Sequence, residues 1–218
     1  MHFKTLDIAG AEPAIQGMRN PLQSHDKSDS HVTDGYFIIG DKDYDLAKRL
    51  ILAGPEHRKF LRQIVVWVNI SAPRFWWSEF DTYKIGTSAN SESTMHTLLK
   101  KPITRDMFEI DFNEDDLKMF EDFDPEIGFD GYLYLLEEIR QFALSMPLDE
   151  KKYCHKLLKQ MLPESFIQTR TVCLNYEVLS NMYQQRKNHK LPQWREDFVS
   201  WIKTLPHSEF ITKEFDKD

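Results

Sequence analysis

A chain of 218 residues with 41% hydrophobic and 13% aromatic content is long enough for one large domain with a full core, and this composition excludes a disordered protein. Its 28 basic residues stand against 35 acidic ones, a net charge of −7, which excludes a general nucleic-acid coat but leaves room for a local basic pocket around one phosphate. Cys154 and Cys173 form no disulfide or zinc-knuckle pattern, Met1 to Pro13 carries no signal-peptide pattern, and the longest apolar run, Ile64 to Ile70, is too short to span a bilayer. The expectation is a soluble, cytoplasmic protein that is not a membrane protein.

Phe3 to Ile8 reads as a short strand, and Ala11 to Arg19 as a helix with Pro13 in its first turn, stopped at Pro21. Ser24 to Asp34 reads as a polar loop, while Tyr36 to Ile39 reads as a short buried segment of ambiguous type. Leu46, Leu50 and Ile51 give Asp41 to Ala53 helical spacing, closed by Gly54-Pro55. Phe60 to Ile70 is rich in β-branched and aromatic residues and predicts a strand, with a helix as the alternative. Arg74 to Tyr83 fits a helix after Pro73, and Ile85 to Thr94 a polar loop.

The segment Asp106 to Asp130 is strongly acidic, interleaved with Phe108, Phe112, Phe120, Phe123 and Phe129. A solvated face over a helical layer explains it better than a docking site for a basic partner. Helices are predicted over Gly131 to Ser145, Asp149 to Met161, Asn175 to Asn188 and Gln193 to Thr204, with Phe166 to Leu174 alternating like a strand. The pattern is a helix-rich α/β (α+β) protein without repeats, read as one domain over 1–218 with an acidic insertion around 106–130.

Gly-rich phosphate loops, His-Glu-x-x-His, Gly-x-Ser-x-Gly and Cys-x-x-Cys are absent. His25, Asp26, His31 and Asp34 have metal-binding side chains, but a solvated loop accounts for them, and no metal site is expected. Trp67, Trp76 and Trp77 offer stacking surfaces, yet they sit in apolar runs that suit a core.

The C-terminal half carries an ordered constellation: Leu162-Pro163, then Asn175, Asn181 and Arg186, then Gln193-Trp194. Upstream lie His57, Ala72-Pro73 and the run Glu79-Phe80-Asp81-Thr82-Tyr83-Lys84. In order and near-constant spacing this resembles the flavin-dependent thymidylate synthases over residues 3 to 205. That family has Asn-x5-Asn-x4-Arg on one helix and a Gln-x-x-Arg-His-Arg signature before it. The resemblance implies the thymidylate synthase fold, a homotetramer, and transfer of a one-carbon unit to C5 of a pyrimidine deoxynucleotide. It also implies FAD as cofactor, with NADPH and methylenetetrahydrofolate as co-substrates.

By that resemblance His57, Asn175, Asn181 and Tyr83 meet the flavin. Lys159, Lys84, Glu79 and Ser91 or Ser93 meet the substrate, and Arg186 acts on the pyrimidine ring as the catalytic residue. The plain alternatives are an N-cap for Asn175, a solvated last-turn arginine for Arg186 and a loop histidine for His57. The signature itself departs from the family. Thr82-Tyr83-Lys84 replaces Arg-His-Arg, and Glu79 replaces the base-reading Gln, exchanging amide donors for acceptors. A substrate other than dUMP, with an exocyclic amine, is one consequence. A non-catalytic nucleotide- or flavin-binding protein is the alternative.

Overall fold

The computed structural model describes residues 1–111 and 125–215. The described chain gathers into two compact units, Met1–Ile70 with Asp81–Asn90 and Thr171–Asp218, and Ser71–Phe80 with Ser91–Arg170. Four strands, β1 (His2–Ala9), β4 (Val65–Pro73), β5 (Thr87–Ser91) and β6 (Ile167–Asn175), form a sheet in the order β1-β4-β6-β5. The strand β4 alternates as its sequence suggests, with Val66, Val68, Ile70 and Ala72 fully buried. It begins later than the apolar run, because Lys59–Arg62 forms a single 3₁₀ turn that buries Phe60 and Leu61. The helix alternative for Phe60 to Ile70 is thereby removed.

In the first unit, the turn that follows α1 (Ala11–Gly17) is tied to α2 (Asp41–Ala53) by a buried ion pair. Arg19 Nε lies 2.5 Å from Asp43 Oδ1, and Asp43 also accepts from the hydroxyls of Ser28 and Ser30, each at 2.6 Å. Burial pushes the Asp43 carboxyl up, but Ser28, Ser30 and Arg19 together outweigh it and hold the pKa at about 2. The expected loop at Ser24 to Asp34 is instead partly a hairpin, β2 (His31–Thr33) with β3 (Tyr36–Ile38), paired Val32 to Phe37. Asp34 and Gly35 both adopt positive φ, 52° and 81°, so the Asp-Gly pair makes the turn that matches strand twist. His31 and Asp34 thus belong to this hairpin, and among the described residues no metal-holding group forms.

The C-terminal part of the same unit is α7 (Tyr176–Arg186), a wide turn over Gln193–Phe198, α8 (Val199–Lys203) and α9 (Glu209–Thr212). The expected single helix from Gln193 is wound as a π-turn up to Phe198 before becoming α-helical. That turn buries Trp194 and Phe198. Phe3 of β1 stacks on Trp201 at 5.0 Å, and Trp201 Nε1 donates to Thr5 Oγ1.

The second unit contains α3 (Arg74–Phe80), α4 (Thr94–Thr97), α5 (Pro125–Ser145) and α6 (Leu148–Met161). The first N–H groups of α3 are satisfied by main-chain carbonyls, Arg74 by Phe166 and Phe75 by Glu164. Trp76, Trp77 and Phe80 pack ring on ring and are buried, which settles the tryptophan pair as core. Helix α3 stops at Phe80, short of the expected Tyr83, where the buried aromatic face ends. Leu98, Ile103, Phe108, Leu133, Leu136, Leu158 and Leu162 form this unit's own cluster. Arg140 clamps it: its guanidinium bonds Glu137 at 2.7 and 2.8 Å and the Leu99 carbonyl at 3.1 Å. Helix α5 begins at Pro125 and runs through Gly131 instead of beginning there. Of the acidic 106–130 segment, residues 112–124 lie outside the described residues, including Phe112, Phe120 and Phe123. The expected loop at Ile85 to Thr94 contains β5, a polar strand at the sheet edge, where no apolar face is required.

Candidate functional site

Arg186 ends α7, where three elements of the first unit meet. Its Nε donates to the Tyr83 hydroxyl at 2.8 Å, and its guanidinium lies 4.7 Å over the Trp194 ring and 5.5 Å over the Tyr83 ring. The Tyr83 hydroxyl in turn donates to Gln185 Oε1 at 2.8 Å. An arginine that lies against two rings and bonds one of them is held in place by packing and loses little further freedom on meeting a ligand. The solvated last-turn arginine is therefore not what forms here. Trp194 joins this group because the π-turn sets it against His189 and Tyr83. The sequence marks Trp194 only by its spacing, and an i,i+8 separation across the loop that follows α7 leaves no simple periodic signal.

At the other end of α7, Asn175 is the N-cap, its side-chain oxygen accepting from Val178 N–H at 3.0 Å. Its amide nitrogen has no partner among the described residues. Gly86 approaches it closely: a Cβ there would lie 3.4 Å from Asn175 Nδ2 and 2.9 Å from Val178 Cγ2. Asn181 uses its oxygen as well, accepting from Arg58 Nη2 at 3.3 Å. Both asparagines therefore hold their oxygens inward and retain amide donors. Arg58 is fixed by a buried two-pronged pair with Glu177, 2.8 and 3.0 Å, that Asn181 extends. Lys213 shares this surrounding: burial and then Arg58 lower its pKa, with Glu177 opposing. The Tyr183 hydroxyl is buried and bonded to Glu214 at 2.6 Å, which raises its pKa, burial first.

His57 is exposed and lines a cavity of about 650 Å³ in the first unit. Met18, Leu46, Leu50 and Phe60 line it together with Arg19, Lys27, Arg49, Lys59 and His57, and with one acid, Glu56. An apolar lining among basic groups suits an anion with a flat aromatic part. FAD is such a molecule, so this lining fits its charged and aromatic parts; Asn175 and Asn181, which do not line the cavity, hold amides of the kind a flavin's acceptors use.

The remaining sequence-predicted residues divide. Lys84 is exposed in the first unit, next to Tyr83 in the chain. Glu79 on α3, Ser91 at the end of β5, Ser93 before α4 and Lys159 on α6 belong to the second unit. Of the expected set, the first unit thus brings together Arg186 with Tyr83, and anchors Asn181 through Arg58. Arg58 was missed, although it is adjacent to His57 in the chain. Its partner Glu177 lies 119 positions away, and no local pattern marks such a pairing.

The sequence matches no protein-family model and no curated protein. Structural comparison shows the fold, which is that of the flavin-dependent thymidylate synthases. Two similar structures are of ThyX from Helicobacter pylori, solved with FAD and dUMP. One has a TM-score of 0.68 at 23% identity, covering 99% of this chain and all of the other. The second has a TM-score of 0.66 at 23% identity, covering 98% and 97%. Among the described residues no helix is long and apolar enough to cross a membrane.

Proposed function

We propose that this chain binds FAD and a pyrimidine deoxynucleotide and transfers a one-carbon unit to the pyrimidine C5, with a substrate other than dUMP. The observation that carries the reading is the likeness over 99% of the chain to a protein solved with both FAD and dUMP. Bound FAD supplies the hydride chemistry; methylenetetrahydrofolate and NADPH are the co-substrates the reaction requires. The chain's own residues bind and orient. Asn175 and Asn181 donate amide N–H groups to the flavin, His57 lines its cavity wall, and Tyr83 positions Arg186. Arg186 presents fixed N–H donors to a pyrimidine oxygen on which charge develops. Lys84 and Lys159 meet phosphate, with Ser91 and Ser93, and Glu79 accepts from the base. Exposed Tyr134, Phe142 and Tyr153 support assembly as a homotetramer, which we place in the cytoplasm.

One observation favours a second reading, a non-catalytic nucleotide- or flavin-binding protein. Tyr83 stands where the family has a cation and already occupies Arg186 Nε. Hydrogen bonds to charged groups contribute about 1.5–3 kcal/mol each, so losing two such contacts at Thr82 and Tyr83, with Lys84 left, lowers dUMP affinity by roughly 10² to 10⁴.

Absorbance of the purified protein and a tritium-release assay with dUMP test both readings. Yellow protein with weak or absent dUMP turnover is expected. Robust thymidylate synthesis would reject the altered substrate, and a protein binding neither flavin nor nucleotide would reject both readings.

A further inference from the structure

Helix α6 carries Lys151, Lys152, Lys156 and Lys159 along one side of a pocket of about 390 Å³, whose remaining lining is Leu148, His155, Met95 and Leu99. All of it lies within the second unit. At about 100° per residue these six helix positions fall within a stripe of roughly 140°, and Lys152 to Lys159 spans about 10 Å along the axis. A solvated lysine face ordinarily carries carboxylates at neighbouring helical positions, and Asp149 is available one turn before Lys152. Yet among the described residues none of the four amines has a carboxylate partner, and no acid lines the pocket. His155 is buried, and its Nε2 donates to the Thr94 carbonyl at 3.1 Å, which fixes the facing wall, α4, against α6. The pocket is therefore a braced concavity lined by four lysines, of which Lys152 also rests its ammonium 5.1 Å from the Tyr153 ring, in a chain whose net charge is −7. Such a chain repels polyanions at long range, so any affinity for them must be local.

We infer that this pocket binds an oligophosphate group, as carried by a nucleoside di- or triphosphate. A single phosphate satisfies one or two amines; four amines spread over this length match a chain of phosphates. The apolar residues Leu148, Met95 and Leu99 give the nucleoside a surface to lie on. The inference rests on the nucleotide reading only for Lys159; Lys151, Lys152 and Lys156 enter with no counterpart in that reading.

The test is calorimetric titration of the full chain with inorganic phosphate, pyrophosphate and tripolyphosphate, none of which engages a flavin or pyrimidine site through its base. Tripolyphosphate should bind at least about tenfold more tightly than phosphate, with affinity falling as salt rises. The double variant Lys152→Ala/Lys156→Ala should remove that difference, and Lys152→Arg/Lys156→Arg should keep it. Lys100→Ala/Lys101→Ala, which removes the same charge outside the pocket, should leave binding unchanged. Equal affinities for the three anions, an effect of the control as large as that of the pocket variant, or tighter binding of single-stranded nucleic acid than of tripolyphosphate would overturn the assignment. Because the probes lack base and flavin, tripolyphosphate binding by a colourless protein indifferent to dUMP would uphold this inference while rejecting the proposed activity.

Discussion

Arg186 Nε and the Tyr83 hydroxyl are 2.8 Å apart, a bond that ties the last turn of α7 to the segment just before β5. Because Trp194 supports the same guanidinium from its ring face, Arg186 is positioned by packing as well as by hydrogen bonding. Arg186→Ala and Arg186→Lys should each weaken the binding of dUMP, or of whichever pyrimidine nucleotide the parent prefers, by at least about tenfold. The melting temperature should move by only a few degrees, since the residue lies at a helix end. Titration of nucleotide against both variants checks this, and unchanged affinity would remove Arg186 from the site.

Gly86 and Gly35 separate backbone strain from crowding. Both have positive φ, 78° and 81°, but a Cβ at Gly86 would meet Val178 Cγ2 at 2.9 Å while one at Gly35 would meet nothing. Gly35→Ala should cost about 1 kcal/mol, the left-handed penalty alone, and Gly86→Ala should cost more, about 2–3 kcal/mol. Urea unfolding of the two variants measures the difference. Equal costs would mean that the Gly86 approach to α7 is loose.

Much of this fold was legible because it is written in local periodicity. The alternation of Val66, Val68 and Ile70, and the helices over 41–53 and 148–161, follow from burial on one face. The turn at Asp34-Gly35 was equally local, but the polar residues before it masked two short strands. Edge strand β5 had no signal, since a strand that buries nothing on its faces shows no alternation. Among candidate site residues, Asn175, Asn181 and Arg186 were reached only through motif spacing. The buried pairs Arg19–Asp43 and Arg58–Glu177 join residues 24 and 119 positions apart and leave no trace in any window.

The Arg58–Glu177 pair is buried on both sides, so removing one partner strands the other's charge. Arg58→Met should destabilise the protein by about 3–5 kcal/mol, whereas Arg58→Met with Glu177→Leu should recover most of that loss. A double-mutant cycle by chemical denaturation decides it; additive effects would show that the pair is solvated and weak.

Asp43 gives the fold an acid limit. Its carboxyl titrates at about 2 when folded, against an ordinary value of 3.8, so the folded state favours the ionised form. The associated stability is complete above pH 4 and is lost as pH falls toward 2, amounting to about 2 kcal/mol. Asp43→Asn should lower stability at neutral pH and flatten its fall over that window. If the variant and parent lose stability in parallel between pH 4 and 2, other carboxylates govern the acid limit.

The N-cap at Asn175 divides one side chain between two selective pressures. The helix requires only an oxygen at this position, which Asp, Ser or Thr supplies equally well. Recognition of an acceptor on a ligand requires the nitrogen, which only Asn retains. A chain freed from its ligand would therefore drift to Asp, Ser or Thr here without loss of folding, while one still under selection for binding would not. Asn175→Asp should accordingly unfold at the same denaturant concentration as the parent and yet bind flavin less tightly, because the substitution exchanges a donor for a charge without disturbing the cap. Loss of stability alongside loss of binding would show that the amide nitrogen belongs to the fold after all.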